Sequence, residues 1–191
     1  MLSTRTTLLI VALLLTLSTA VFVESRRGAN AAAVQATPAP EFTSLDPADW
    51  INGPPQRLAD LRGRVVMLDV WTFACWNCYR SFPWLRGLEA RHHRDGLRVI
   101  GIHSPELAHE RDRAAVAAKV VEFELDHPVL IDNDFRYWDA LGNRVWPSFY
   151  LIDKQGLIRY RFIGETHAGD TQARRIERAV EALLAEPARE R

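Results

Sequence analysis

Cysteine is scarce in this 191-residue chain, which carries only two, and that scarcity excludes a disulfide scaffold, because such scaffolds are short and dense in cysteine. An excess of charge is missing too: 24 Lys and Arg stand against 24 Asp and Glu, a formal net charge of zero. No nucleic-acid partner is expected on that balance, since such binding draws much of its affinity from clustered basic side chains on phosphates. The six histidines (His92, His93, His103, His109, His127 and His167) are scattered and offer the cysteines no second pair at zinc-finger spacing. Neither a metal nor a cofactor is expected, and no internal repeat is visible. What remains is a composition of 48% hydrophobic and 25% charged residues, the texture of a globular chain long enough for one core plus an extension.

The extension comes first. Arg5 precedes an apolar run from Leu8 to Val23, broken only by Thr16, Ser18 and Thr19, which reads as an export segment over residues 1–23, either a removable signal peptide or a retained membrane anchor. The run is long for a removable segment and just short of the roughly 17 to 25 residues that span a bilayer. Ala29-Asn30-Ala31 and Ala31-Ala32-Ala33 offer cleavage patterns, whereas Glu24, Arg26 and Arg27 favour retention. Both fates place the remainder outside the cytoplasm, in the periplasm or at the cell exterior, where disulfide chemistry is possible. Residues 24–41, rich in Ala and ending around Pro38 and Pro40, read as a flexible tether.

From Phe42 onward the texture alternates between strand and helix. Trp50-Ile51 and Leu58–Leu61 flank Asn52-Gly53-Pro54-Pro55 and predict a short hairpin or arm. Val65–Trp71 is an apolar run suited to a strand covered on both faces. A helix is predicted over 76–93, bent at Pro83, then a strand over 97–102, a helix over 106–125, a strand over 128–131 and a short helix over 135–141. Strands over 148–152 and 157–163 form a hairpin about Asp153-Lys154-Gln155-Gly156. A last helix starts at Asp170, its N-cap, and buries Ile176, Val180, Leu183 and Leu184. This order gives an α/β domain over 42–191, a mixed sheet with helices on both faces.

The two cysteines, Cys75 and Cys78, end the loop after the buried strand and open the next helix. Free backbone N–H groups and the helix dipole stabilise a thiolate there, so Cys75 is the candidate nucleophile. Three-residue spacing on a helical turn keeps Cys78 within reach to resolve a mixed disulfide. A purely structural disulfide would restrict the unfolded chain by only about 2 kcal/mol over so short a loop. Asp69, inside the apolar strand, should resist ionisation and titrate near neutrality if buried, or sit at a solvent-facing strand end if not.

The stretch Val65–Cys78, with Gly101–Glu106 and Trp146–Asp153, closely resembles the active-site strand, loop and helix of the thioredoxin superfamily, and most of all the TlpA-like group and the periplasmic thioredoxin-like domain of DipZ-type proteins. The resemblance covers about residues 45–184 and implies a thioredoxin-like fold. It implies that Cys75 attacks, that Cys78 resolves, and that Asp69 moves a proton to or from the second sulfur. It further implies that Pro147 is cis opposite the cysteines, beside backbone that can pair with an extended substrate. Trp71 matches the tryptophan packed beside the active-site loop, and Trp76, Asn77, Trp146 and Trp71 are candidates for contacting substrate. Trp76-Asn77 departs from the Gly-Pro of thioredoxins, and Ser81 stands where several cytochrome-maturation relatives carry Glu, so neither potential nor substrate choice carries over. His103, ending its strand on the edge that bears Cys75, is a further candidate.

The function implied is extracytoplasmic thiol-disulfide exchange by a monomer, with exported disulfide proteins or a membrane thiol-disulfide electron donor as partners. Two alternatives stay open. A thiol peroxidase is loosely suggested by Thr72 three residues before Cys75, and a redox-inactive interaction module would keep the fold for binding alone.

Overall fold

In the computed structural model of the chain, residues 33–188 are described; the apolar run Leu8–Val23 and the first part of the expected tether lie outside them. Among the described residues no helix is long and apolar enough to cross a membrane. The elements are β1 (Ala33–Pro38), β2 (Trp50–Ile51), β3 (Val65–Trp71), α1 (Trp76–His92), β4 (Leu97–His103), α2 (Arg113–Glu122), β5 (Val129–Ile131), α3 (Arg136–Ala140), β6 (Ser148–Ile152), β7 (Leu157–Ile163) and α4 (Thr171–Ala185).

The seven strands form one mixed sheet in the order β1-β7-β6-β3-β4-β5-β2. Strand β3 runs parallel to β4 and antiparallel to β6, and β4 runs parallel to β5. All seven residues of β3 are buried, which accounts for a strand that is apolar on both of its faces. Its Val65, Met67 and Trp71 pack with Phe82, Leu85 and Leu88 of α1, Val116 and Val120 of α2, and Ile176, Val180 and Leu183 of α4. Its Val66, Leu68 and Val70 pack on the opposite face with Tyr137 and Trp138 of α3 and with Phe42, Trp50 and Leu58 of the N-terminal arm. Asp170 caps α4 by accepting from the Ala173 amide at 2.6 Å. The fold is thioredoxin-like.

Three local expectations need correction. Ala33–Pro38, read as part of a tether, form an edge strand paired antiparallel with β7. Its side chains from Val34 to Pro38 are exposed, so backbone pairing holds it and no alternation of apolar residues announces it. Of the hairpin or arm expected about Asn52-Gly53, the arm forms and the hairpin does not close on itself. Trp50 and Ile51 pair with Leu130 and Val129 of β5 instead, and Leu58–Leu61 form a 3-10 turn. The Asn52 amide holds the crossing by donating to the carbonyls of Leu125 at 2.5 Å and His127 at 3.2 Å. The helix expected over 106–125 is shorter: a 3-10 turn at Ala108–Arg111 precedes it, and Asp112 restarts the chain as the N-cap of α2, accepting from the Ala114 amide at 2.7 Å.

Gly101 sits in the middle of β4, where a Cβ would lie 3.0 Å from Val129 Cγ2 and 3.1 Å from Trp71 Nε1. Gly101→Ala is therefore expected to destabilise the fold by about 1 to 3 kcal/mol through overpacking, read as a lower denaturation midpoint; an unchanged midpoint would show that these neighbours yield freely.

Candidate active site

The carboxyl ends of β3, β4 and β5 run out at one edge of the sheet, and the loops that follow them meet there. Cys75 is the N-cap of α1, and its Sγ accepts from the Cys78 amide at 3.2 Å. The two cysteines form a disulfide with a Cα–Cα distance of 5.3 Å. Their exposures differ: Cys75 is half-buried, whereas Cys78 is 0% exposed. An outside sulfur or thiolate can reach only the first. Trp76 is 61% exposed, with the Arg80 guanidinium 5.8 Å from its ring and Tyr79 edge-on at 5.2 Å. Asn77 is exposed as well.

The start of α1 is pinned from behind. Ser81 Oγ donates to the Asn77 carbonyl at 2.8 Å and accepts from the Thr166 amide at 3.0 Å. Arg80 pairs with Glu165 at 3.1 Å. The segment after β7 thus fastens the first turns of the helix that carries both sulfurs.

Opposite stands the Trp146–Pro147 bond, which is cis. The β3–β6 register pairs Val70 with Ser148, so Pro147 falls level with the end of β3, where the Cys75 loop begins. Trp146 is half-buried. Its Nε1 donates to the Ser104 carbonyl at 3.0 Å, and its ring lies 4.3 Å from that of Trp138. Trp71 is buried against Phe82, His103 and Phe123, where it packs below the loop that follows β3.

Asp69 is 0% exposed, and neither carboxylate oxygen has a hydrogen-bond partner among the described residues. Burial pushes its carboxyl up to about 7, with the charge of His127 pulling the other way. His103 is buried between Trp71 and Phe73, and burial holds its imidazole down at about 4, so it stays neutral under the rims of the site.

Glu110 is a site residue that no sequence pattern announces. This buried side chain accepts from Thr72 Oγ1 at 2.5 Å and the Ala74 amide at 2.8 Å, and with its other oxygen from the amides of Glu106 at 2.7 Å and Leu107 at 2.5 Å. It ties the loop ending in Cys75 to the loop after β4. Burial alone would raise its carboxyl, but these hydrogen bonds outweigh it and hold the group below its usual range. Its partners are 3 to 38 positions away, and no local pattern links them. The Thr72 hydroxyl is committed to Glu110, which removes the donor that the peroxidase alternative would have aimed at Cys75.

Residues 36–161 match the AhpC/TSA family. Among curated relatives, Protein DipZ of Mycobacterium tuberculosis is 39% identical over 119 residues, covering 61% of this chain and 17% of that protein. Thiol-disulfide oxidoreductase YkuV of Bacillus subtilis is 26% identical over 149 residues, covering 78% of this chain and 95% of its own length. The chain spans only 13 to 17% of the length of the first curated relatives it matches. A crystal structure of a thioredoxin-like superfamily protein superposes with a TM-score of 0.71 at 27% identity, covering 81% of this chain and all of that one. With the family matched over most of its length and a disulfide at the head of α1, the chain belongs to the AhpC/TSA family and has a thioredoxin-like fold.

Proposed function

We propose that this protein is an extracytoplasmic thiol-disulfide oxidoreductase that exchanges electrons with the disulfides of exported proteins through Cys75 and Cys78. The observation that carries the reading is the asymmetry of the pair: the reachable sulfur, Cys75, caps a helix and accepts an amide hydrogen bond, while its partner is sealed beneath it. Amides at a helix start stabilise negative charge on sulfur, so the reduced Cys75 is the thiolate and the attacker.

In the reducing direction, Cys75 Sγ attacks one sulfur of a substrate disulfide, forms a mixed disulfide and releases the other substrate sulfur as a thiolate. The Cys78 thiol then gives its proton to Asp69 and attacks Cys75 Sγ. The Cys75–Cys78 bond forms, the second substrate thiolate leaves, and two electrons have passed to the substrate. A dithiol donor, such as a membrane thiol-disulfide protein, restores the reduced pair by the same steps. Asp69 suits this part because burial lifts its carboxyl to about 7, where it takes up and returns a proton near neutral pH. Trp76, Asn77 and Trp146, with the backbone beside Pro147, offer a partly apolar edge to an extended substrate. Export rests on the composition of the Leu8–Val23 run.

Cys78→Ser, expressed in the exporting cell, is expected to accumulate discrete mixed disulfides between Cys75 and exported proteins, seen as adducts that collapse on reduction. Folded protein without adducts, combined with peroxide consumption in place of insulin reduction, would move the assignment to a peroxidase. Asp69 gives a second expectation. Its folded value of about 7 lies above the ordinary 3.8, so between these pH values the folded chain holds a proton that the unfolded chain has lost. Stability contributed by that proton is complete below about pH 4 and is lost as pH rises through about 7. Asp69→Asn is expected to flatten this slope and to raise the denaturation midpoint above pH 7; parallel slopes in the two proteins would contradict the buried-acid assignment. Glu110→Gln, which swaps one acceptor oxygen for a donor, is expected to cost about 1 to 3 kcal/mol of stability and to slow alkylation of reduced Cys75, measured with iodoacetamide.

A further inference from the structure

Beneath the cysteines, on the sheet face covered by α1, several polar groups surround the side chain that Gly101 lacks. Asp69 is the register partner of Gly101 across β3 and β4, and partnered residues on adjacent parallel strands project to the same face. A Cβ on Gly101 would lie 3.4 Å from His127 Nε2 and 3.1 Å from Trp71 Nε1. His127 Nε2, like both Asp69 oxygens, is buried and has no hydrogen-bond partner among the described residues. The other ring nitrogen is engaged: Nδ1 lies 3.1 Å from Glu89 Oε2. An ionised carboxylate can only accept, so Nδ1 carries the hydrogen and Nε2 of the neutral ring presents a lone pair towards the space shared with Asp69.

The His127 side chain has no exposed surface, whereas that of Glu89 is 19% exposed and lines a cavity of about 470 Å³ bounded by α1, β4 and the connection from α2 to β5. Glu89 lies fourteen residues along the chain from Cys75, about 20 Å of helix at the usual rise. The cavity is thus well removed from the substrate-facing edge. His127 borders the same cavity. The other ionisable groups lining it are Arg86 of α1, His93 at the C-cap of that helix, Arg98 of β4, and Glu124 and Asp126 before β5. All are half-buried or exposed, and Arg86 is paired with Glu124. His103 shares the face of Asp69, but its ring is packed between Trp71 and Phe73.

We infer that His127, held by Glu89, is the proton partner of Asp69 in the second half of the exchange, carrying the proton received from Cys78 out to the cavity behind α1. The inference rests on the exchange reading of Cys75 and Cys78 and adds a positioning pair to it. In the forward direction, the Asp69 carboxylic acid gives its proton to His127 Nε2. The ring passes its Nδ1 proton to Glu89, and Glu89 releases it to water in the cavity. Asp69 returns to the carboxylate with no change in electron count, and the reverse sequence delivers a proton when the disulfide is reduced. Once protonated, the His127 ring attracts the Asp69 carboxylate and opposes the effect of burial on the acid, which puts the two side chains within electrostatic reach.

The test is a single-turnover reaction of the reduced protein with 5,5′-dithiobis(2-nitrobenzoate), followed across pH in the parent, His127→Ala, His127→Gln and Glu89→Gln. The first thionitrobenzoate released reports capture by Cys75, and its absence in the parent would remove the exchange centre itself. The second reports resolution by Cys78. Both His127 variants are expected to slow this second phase about tenfold at pH 6 to 7, with recovery at high pH, as an upward move of about one unit in the acid's midpoint requires. Glu89→Gln, at a partly exposed position that leaves the core intact, should shift the profile in the same direction by less. Added imidazole should restore the second phase of His127→Ala. Folded variants whose second-phase profiles superpose on the parent's, or a His127→Ala defect indifferent to imidazole, would overturn the relay.

Discussion

A strand buried on both faces has no room for an unpaired charge, and β3 carries an acid at its centre all the same. Asp69 is surrounded by apolar side chains of α1 and the neighbouring strands, without a hydrogen-bond partner among the described residues, and its proton affinity rises because ionisation there goes uncompensated by water. The rest of the site is arranged around this constraint. The strand delivers its chain to the Cys75 loop, the loop opens a helix, and the first turn of that helix buries the one sulfur that solvent cannot reach. Burial thus does two things at once, stabilising the core through β3 and keeping Asp69 poised near neutrality.

The division between the sulfurs follows from the same layout. Cys75 is presented to solvent by the last residues before α1, and Cys78 is turned inward by the first helical turn. One loop must therefore be held accurately, and the protein holds it with a single carboxylate. Glu110 joins the Thr72 hydroxyl and the Ala74 amide to the amides of Glu106 and Leu107, so the loops after β3 and β4 are tied together. Charge-assisted hydrogen bonds of this kind are stronger than neutral ones, which suits a joint that has to persist while the disulfide opens and closes.

Much of this was legible in the sequence because the informative patterns are local. The apolar run of β3, the Cys-x-x-Cys spacing at a strand-to-helix junction and the Asp170 cap lie within a few residues of what they determine. Glu110, Glu89 and His127 were not legible. Each acts through a partner that only the tertiary fold brings near, and a lone Glu or His in a mixed-polarity stretch looks like any surface residue. Strand β1 was missed for a different reason: its contribution is a ladder of backbone hydrogen bonds, and backbone groups leave no mark on residue choice when the side chains face solvent. The arm around Trp50 misled because Asn52-Gly53 is a fair hairpin signal, but burying Trp50 against Phe42 and Leu58 stabilises pairing with β5 instead.

The fastening of α1 by the segment after β7 has an implication for how such a centre is tuned. The buried Ser81 binds Thr166, so a change at that contact would alter the tilt of the first helical turn without touching the exposed side chains of Trp76 and Asn77. The dipoles facing Cys75 would then change strength while the docking edge stays the same. Reactivity and recognition can in this way drift independently within one scaffold, one written in the loop that follows the last strand and the other in the rim around the cysteines.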